Sequence, residues 1–190
     1  ESGQYEKASE AFAAMGGYKD AQTQATASRY QQAEMLSRKN DLESLTAALE
    51  IYTELGEYED SALRVQQTTY AIGEAYLADK QYDQAADRFQ TLGDYEDSAD
   101  RLNQCIYTQA DELYQNGQYS LAQALFANIA DHSDAAARVR GCQYAMAKES
   151  EEAGDDAQAA QLYLQAGDYE DAAQRYVECL YRSAAAEMES

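Results

Sequence analysis

A short turn phrase recurs along this chain at a fixed interval, and that periodicity limits the fold more than any other feature. It reads Gly17-Tyr18-Lys19-Asp20-Ala21, then Gly56-Glu57-Tyr58-Glu59-Asp60-Ser61, then Gly93-Asp94-Tyr95-Glu96-Asp97-Ser98, then a degenerate Ala130-Asp131-His132-Ser133-Asp134-Ala135, and finally Gly167-Asp168-Tyr169-Glu170-Asp171-Ala172. The tyrosine slot of the phrase falls at 18, 58, 95, 132 and 169, and a second set, Tyr30, Tyr70, Tyr107, Tyr144 and Tyr181, keeps the same spacings of 40, 37, 37 and 37 residues. The period is 37 residues, with three extra residues between Leu42 and Leu55. A unit this short cannot bury its apolar face alone, so such chains stack one supersecondary element on the next.

Each period reads as two helices, because apolar residues return every three or four positions and the chain contains no proline. In one period, residues 97–115 place Leu102, Ile106, Ala110 and Leu113 on one stripe, and Asn116-Gly117 stops the helix. A second helix starts near Tyr119 and turns Ala122, Phe126 and Ile129 inwards. The aspartate of each phrase is predicted to cap the helix that follows it, supported by an arginine four residues on in Asp60/Arg64, Asp97/Arg101, Asp134/Arg138 and Asp171/Arg175. Cys105, Cys142 and Cys179 are also 37 residues apart and share a slot with Ser28 and Thr68, which predicts buried structural thiols too far apart for a disulfide.

The run Ala110, Leu113, Gly117, Tyr119, Ala122 and Phe126 resembles the small, large, Gly, Tyr, Ala, aromatic signature of tetratricopeptide repeats. Gly73, Tyr76, Tyr82, Ala85 and Phe89 repeat it well; Ala147, Gly154, Ala159 and Tyr163 less fully; Ala33, Leu36, Leu42 and Tyr52 least; and Gly3, Tyr5, Ala8 and Phe12 supply a second helix only. The family's period is about 34 residues and its repeats usually close on a proline. Here the period is longer and a Tyr-x-Asp phrase takes the proline's place. The resemblance implies an all-α fold, a right-handed superhelical α-solenoid of about five antiparallel helix pairs. It covers residues 1–190 as one domain, with units at roughly 1–17, 18–56, 57–93, 94–130, 131–167 and 168–190. Similar Gly-Asp-Tyr-x-Asp-Ser repeats occur in proteins of Gram-positive bacteria, where they can follow a zinc ribbon and a membrane anchor; the compartment of this chain stays open.

Charge and chemistry narrow the function. With 35 acidic against 14 basic residues the chain carries −21 at pH 7, so it has no basic surface for phosphate backbones, and nucleic acid is an unsuitable partner. No stretch is long and apolar enough to enter a membrane. One histidine, His132, sits in the tyrosine slot of the phrase and reads as a drifted repeat residue, so no converging catalytic set is visible. Acidic clusters such as Asp94/Glu96/Asp97 and Asp155/Asp156 lack calcium-loop spacing and read as solvated caps, which leaves no metal or other cofactor to expect.

The tyrosines are the remaining candidates. A residue repeated at one slot in every copy favours a structural task, yet in the tetratricopeptide register that slot faces the concave side, beside Glu34, Glu74, Asp111 and Lys148. The expectation is a non-enzymatic protein-interaction scaffold with a tyrosine-lined, acidic groove for a basic peptide or protein, contacted through Tyr70, Glu74, Tyr107, Asp111 and Tyr144. A carbohydrate- or cell-envelope-binding module and a structural spacer are the alternatives. Residues 3–16 read as a second helix without its first, and 171–188 as a first helix without its second, so the expectation is a fragment of a longer protein, or a monomer with weak end-to-end association.

Overall fold

The structure, a computed structural model, describes residues 2–189. Among them are ten helices and no strand: α1 Ser2–Ala14, α2 Ala21–Ser37, α3 Leu42–Leu55, α4 Ser61–Ala78, α5 Tyr82–Leu92, α6 Ser98–Gln115, α7 Tyr119–Asn128, α8 Ala135–Glu152, α9 Asp156–Ala166 and α10 Ala172–Glu189. Long helices of 17 or 18 residues alternate with short ones of 10 to 14. The three extra residues lengthen one short helix, since α3 has 14 residues where α5 and α9 have 11.

The chain forms two compact units, Glu1–Leu102 and Asn103–Ser190, divided within α6. In the first, α1 packs on α2, α2 on α3, α3 on α4 and α4 on α5; in the second, α7 packs on α8, α8 on α9 and α9 on α10.

Two backbone stops recur. Each short helix that ends at a phrase glycine does so with that residue left-handed, at φ 57° for Gly56, 58° for Gly93 and 68° for Gly167, a geometry that costs glycine nothing. The residue before each phrase aspartate is also left-handed although it has a side chain: Lys19, Glu59, Glu96, Ser133 and Glu170. The phrase is thus a double reversal, closed by bonds such as Tyr95 N–H to the Leu92 carbonyl (3.2 Å) and Ser98 N–H to the Tyr95 carbonyl (3.0 Å).

The cores are small and alike. In the first unit Ala33, Ala48, Ile51 and Tyr52 pack with Tyr30 and Leu36. In the second, Ala110, Ala122, Phe126, Ala135 and Cys142 form one cluster, and Ala147, Ala159, Tyr163, Ala172 and Cys179 another. Each of these clusters holds a single buried ring, Tyr52, Phe126 or Tyr163, among small side chains, and at Gly73 a ring comes close enough that an added methyl would meet Phe89 at 2.9 Å. The three cysteines are buried and none forms a disulfide. Burial pushes the Cys142 thiol up to about 11, so it is a small hydrophobe rather than a nucleophile at neutral pH.

The residue after each phrase aspartate is always small, and Ser61, Ser98, Ala135 and Ala172 are fully buried. The Ser61 and Ser98 hydroxyls have no hydrogen-bond partner there. An unpaired buried hydroxyl is a cost, and alanine already fills the equivalent place three times, at Ala21, Ala135 and Ala172. Ser98→Ala is therefore expected to keep or raise the thermal midpoint followed by circular dichroism, whereas Ser98→Leu should overpack the joint and destabilise the fold by about 1–3 kcal/mol. A large loss of stability in Ser98→Ala would show that the hydroxyl has a partner after all.

Candidate functional site

At the N-caps of α2, α4 and α8 the phrase aspartate does not perform the capping bond that the sequence suggests. Asp20, Asp60 and Asp134 make no side-chain bond to the N–H groups of their own helices. The carboxylates that do cap are Asp41, which accepts from Ser44 N–H at 2.8 Å, and Asp155, which accepts from Gln158 N–H at 3.0 Å. The phrase carboxylate instead turns back to the preceding long helix. Tyr70 donates its hydroxyl to Asp97 Oδ1 at 2.6 Å, Tyr107 to Asp134 at 2.6 Å and Tyr144 to Asp171 at 2.5 Å, each across 27 residues, and Tyr30 makes the same bond to Asp60.

Each of these rings also stands between two others, at a T-shaped angle in every pair but the tilted Tyr144–Tyr169. Tyr70 meets Phe89 at 5.4 Å and Tyr95 at 6.3 Å; Tyr107 meets Phe126 at 5.2 Å and His132 at 6.2 Å; Tyr144 meets Tyr163 at 5.5 Å and Tyr169 at 5.6 Å; Tyr30 meets Tyr52 and Tyr58, both at 5.8 Å. One tyrosine therefore ties the short helix after it, the phrase and the next long helix together. His132 fills the ring position of the phrase against Tyr107.

An arginine completes three of these joints as the i,i+4 pairing predicts: Arg64 lies 3.0 Å from Asp60, Arg101 3.1 Å from Asp97 and Arg175 3.1 Å from Asp171. The same arginines reach an acid on the preceding long helix, Arg64 to Glu34 (3.8 Å), Arg101 to Glu74 (3.5 Å) and Arg175 to Glu151 (3.4 Å), while Arg138 pairs with Asp111 and covers the Tyr114 ring at 5.0 Å. Where Lys148 replaces the expected acid, Glu151 one turn later takes over. It also accepts from Tyr163 Oη at 2.7 Å and from Arg182 at 2.7 Å.

The five candidate partner-binding residues are thus divided and engaged. Tyr70 and Glu74 share one network with Arg101 and Asp97 in the first unit; Tyr107 and Asp111 share another with Asp134 and Arg138 in the second; Tyr144 bonds Asp171. Their carboxylates and hydroxyls are committed to the fold. What remains open is a groove beside the joint, present in both units. In the first it is lined by Asn40 and Leu42 with Tyr70, Ala71, Glu74, Ala75 and Ala78. In the second, two periods along, Tyr144, Ala145, Lys148, Glu149 and Glu152 occupy the equivalent places on α8, facing Tyr114 and Tyr119. The tyrosine and the first alanine are constant, and the next three positions change from Glu, Ala, Ala to Lys, Glu, Glu.

Among the described residues no group of three or more His, Cys, Asp or Glu side chains is placed to hold a metal ion, and no helix is long and apolar enough to cross a membrane. No protein-family model matches the chain, and no curated protein sequence matches it.

The joint has a titration signature. The hydroxyl bond from its tyrosine is the first cause holding Asp60, Asp97 and Asp171 below the ordinary 3.8, with the neighbouring arginine adding to it. Tyr144 is pushed up to about 12, first by its bond to Asp171 and then by burial; Tyr30 rises to about 12 mainly through burial, with Asp60 second. A depressed carboxylate stabilises the fold fully above its unfolded value and loses that contribution as pH falls through the folded value. A raised tyrosine stabilises fully below 10.0 and loses its share as pH climbs from there to about 12. The stability gap between the native chain and Tyr144→Phe is therefore expected to hold steady between about pH 5 and pH 9 and to close on both sides. Chemical denaturation across that range measures it. A gap independent of pH would contradict the bond to Asp171.

Proposed function

We propose that this chain is a non-enzymatic interaction scaffold of the tetratricopeptide-like kind, its helix pairs stacked in that family's right-handed superhelical sense, and that it binds an extended segment of a protein in the grooves beside its joints. The single observation that carries this reading is the recurrence of one groove with a constant frame and variable walls. Tyr70 and Tyr144 supply the constant ring, Ala71 and Ala145 the constant floor, and the positions Glu74/Lys148, Ala75/Glu149 and Ala78/Glu152 differ between the two units. A module that only spaces other domains has no need to keep a cleft open while varying its lining. A module that recognises a ligand does so with rigid aromatic area and exchangeable polar groups.

The partner's chemistry follows from the charges left over. Glu74 and Asp111 are paired with arginines, so they orient the fold rather than a ligand. Asp79 at the first groove and Glu149 and Glu152 at the second are exposed, with Lys148 as the one cation of that second wall. A predominantly basic peptide, steered by the overall charge of −21, suits both grooves. Tyr107 and Asp111 belong in this reading to the frame, and Tyr70 and Tyr144 offer a ligand their rings, their hydroxyls being bonded to Asp97 and Asp171.

Affinity capture followed by mass spectrometry tests it, comparing the native chain with Ala75→Arg/Ala145→Arg, which adds bulk and positive charge at both grooves, and with Leu164→Ser on the exposed side of α9. The groove variant is expected to lose at least roughly tenfold of a captured basic protein while the α9 variant keeps it. Equal capture by all three would place binding elsewhere, and capture of nothing by the native chain would contradict a scaffold.

A further inference from the structure

The second groove differs from the first in a way that selects among basic ligands. Three phenol rings, those of Tyr114, Tyr119 and Tyr144, border one opening of about 350 Å³ together with Glu149 and Glu152. The first groove has a single ring, Tyr70, and its Ala75 and Ala78 stand where Glu149 and Glu152 do. The extra rings and the extra acids thus occur together. The rings are held before any ligand arrives: Tyr114 lies 5.2 Å from Tyr119 and carries the Arg138 guanidinium at 5.0 Å, while Tyr144 is bonded to Asp171. Little side-chain freedom is left to lose on binding. The two acids, by contrast, have no task in the fold. Both are exposed in the last turn of α8, where the helix dipole disfavours negative charge, and the ion pairs of that turn go to Glu151.

We propose that this groove seats an arginine side chain of the bound segment, its guanidinium against the rings of Tyr119 and Tyr114 and its N–H groups donating to Glu149 and Glu152. The proposal rests on the groove reading and adds to it the identity of one anchor. The chain already makes the same combination internally, since Arg138 covers the Tyr114 and Phe126 rings at 5.0 and 5.3 Å while it pairs with Asp111. Arginine suits the groove better than lysine for two reasons. Its planar, weakly hydrated head stacks on aromatic rings, and it donates to two carboxylates at once, whereas an ammonium is a compact and strongly hydrated point charge. An apolar side chain of similar length would meet the rings but leave the acids unused. Lys148 borders the same groove and opposes any cation there, so it limits the affinity.

Nuclear magnetic resonance titration of the 190-residue chain tests this, with short capped Gly/Ser peptides that carry one central arginine, lysine or norleucine. The arginine peptide is expected to shift the backbone amides around Ala145 and Glu149 and to bind at least roughly fivefold more tightly than the lysine peptide, with norleucine weaker still. Tyr119→Leu, which keeps apolar bulk without a π-face, and Glu149→Gln/Glu152→Gln, at two exposed positions, should each weaken the arginine peptide by roughly fivefold or more. Lys148→Ala should tighten it severalfold, a gain that a merely structural role would not produce. Ala75→Arg, in the first groove, should leave it unchanged. Lysine or norleucine binding as tightly as arginine, and abolished by Ala145→Arg, would keep the groove and overturn the arginine assignment. Arginine binding that survives Ala145→Arg would overturn both. No binding of the arginine peptide, or binding indifferent to Tyr119→Leu and to the glutamine variant, would also overturn the proposal, and the capture experiment then judges the groove by itself.

Discussion

The hydrogen bond from a long-helix tyrosine to the aspartate of the next turn phrase is the contact on which the arrangement of this chain depends. Each core cluster buries a few small side chains and one aromatic ring, too little apolar surface to set the angle of its neighbour by area alone. The tyrosine adds direction. Its ring meets a ring of the short helix and a ring of the phrase at steep angles, and its hydroxyl finds a carboxylate on a turn held by two residues of positive φ, Gly93 and Glu96 in the case of Asp97. A flexible lysine–glutamate pair at the same place would lose side-chain entropy and be screened by salt, whereas a tyrosine has few rotamers to lose and delivers its proton from a rigid stem.

That contact also explains how a chain of charge −21 tolerates its acidity. Much of the negative charge is assigned within the fold: the phrase aspartates accept tyrosine hydroxyls, and Glu34, Glu74, Asp111 and Glu151 meet the scarce arginines. With 14 basic residues in the chain, the arginines are placed where one guanidinium serves two carboxylates, as Arg64, Arg101 and Arg175 do. Glu151 shows that the requirement is for an acid in reach and not for one particular position, because it supplies from one turn further along what Lys148 cannot. The acids outside these networks are solvated, and they give the surface its long-range field.

The helices were legible in the sequence because period and stop signals agreed: α6 and α7 begin and end within a residue or two of where Leu102 to Leu113, Asn116-Gly117 and Tyr119 to Ile129 place them. The short-helix residues Ala122 and Phe126 are buried as the repeat pattern requires. What local reasoning misread was the phrase aspartate. An Asp before a helical run has a sufficient local explanation as a cap, and nothing within one period shows that its carboxylate faces a tyrosine 27 residues earlier. The signal was the joint constancy of the two slots across copies, which marks a contact between repeats. The exchange of Lys148 for an acid, with Glu151 compensating, was hidden for the same reason: it needs the neighbouring pair in three dimensions to be seen. All five residues expected at a partner surface take part in the joints, and Tyr70, Glu74 and Tyr144 also border the clefts.

A double-mutant cycle on Tyr107→Phe and Asp134→Asn, measured by chemical denaturation near neutral pH, addresses the joint most directly. If the hydroxyl and the carboxylate act through each other, the two losses are not additive, and the coupling is about 1 kcal/mol, the value for a hydrogen bond to a partly solvated charged group. Additive losses would mean that each residue stabilises the fold on its own, and that the rings and the turn, not the tyrosine–aspartate bond, fix one helix pair on the next.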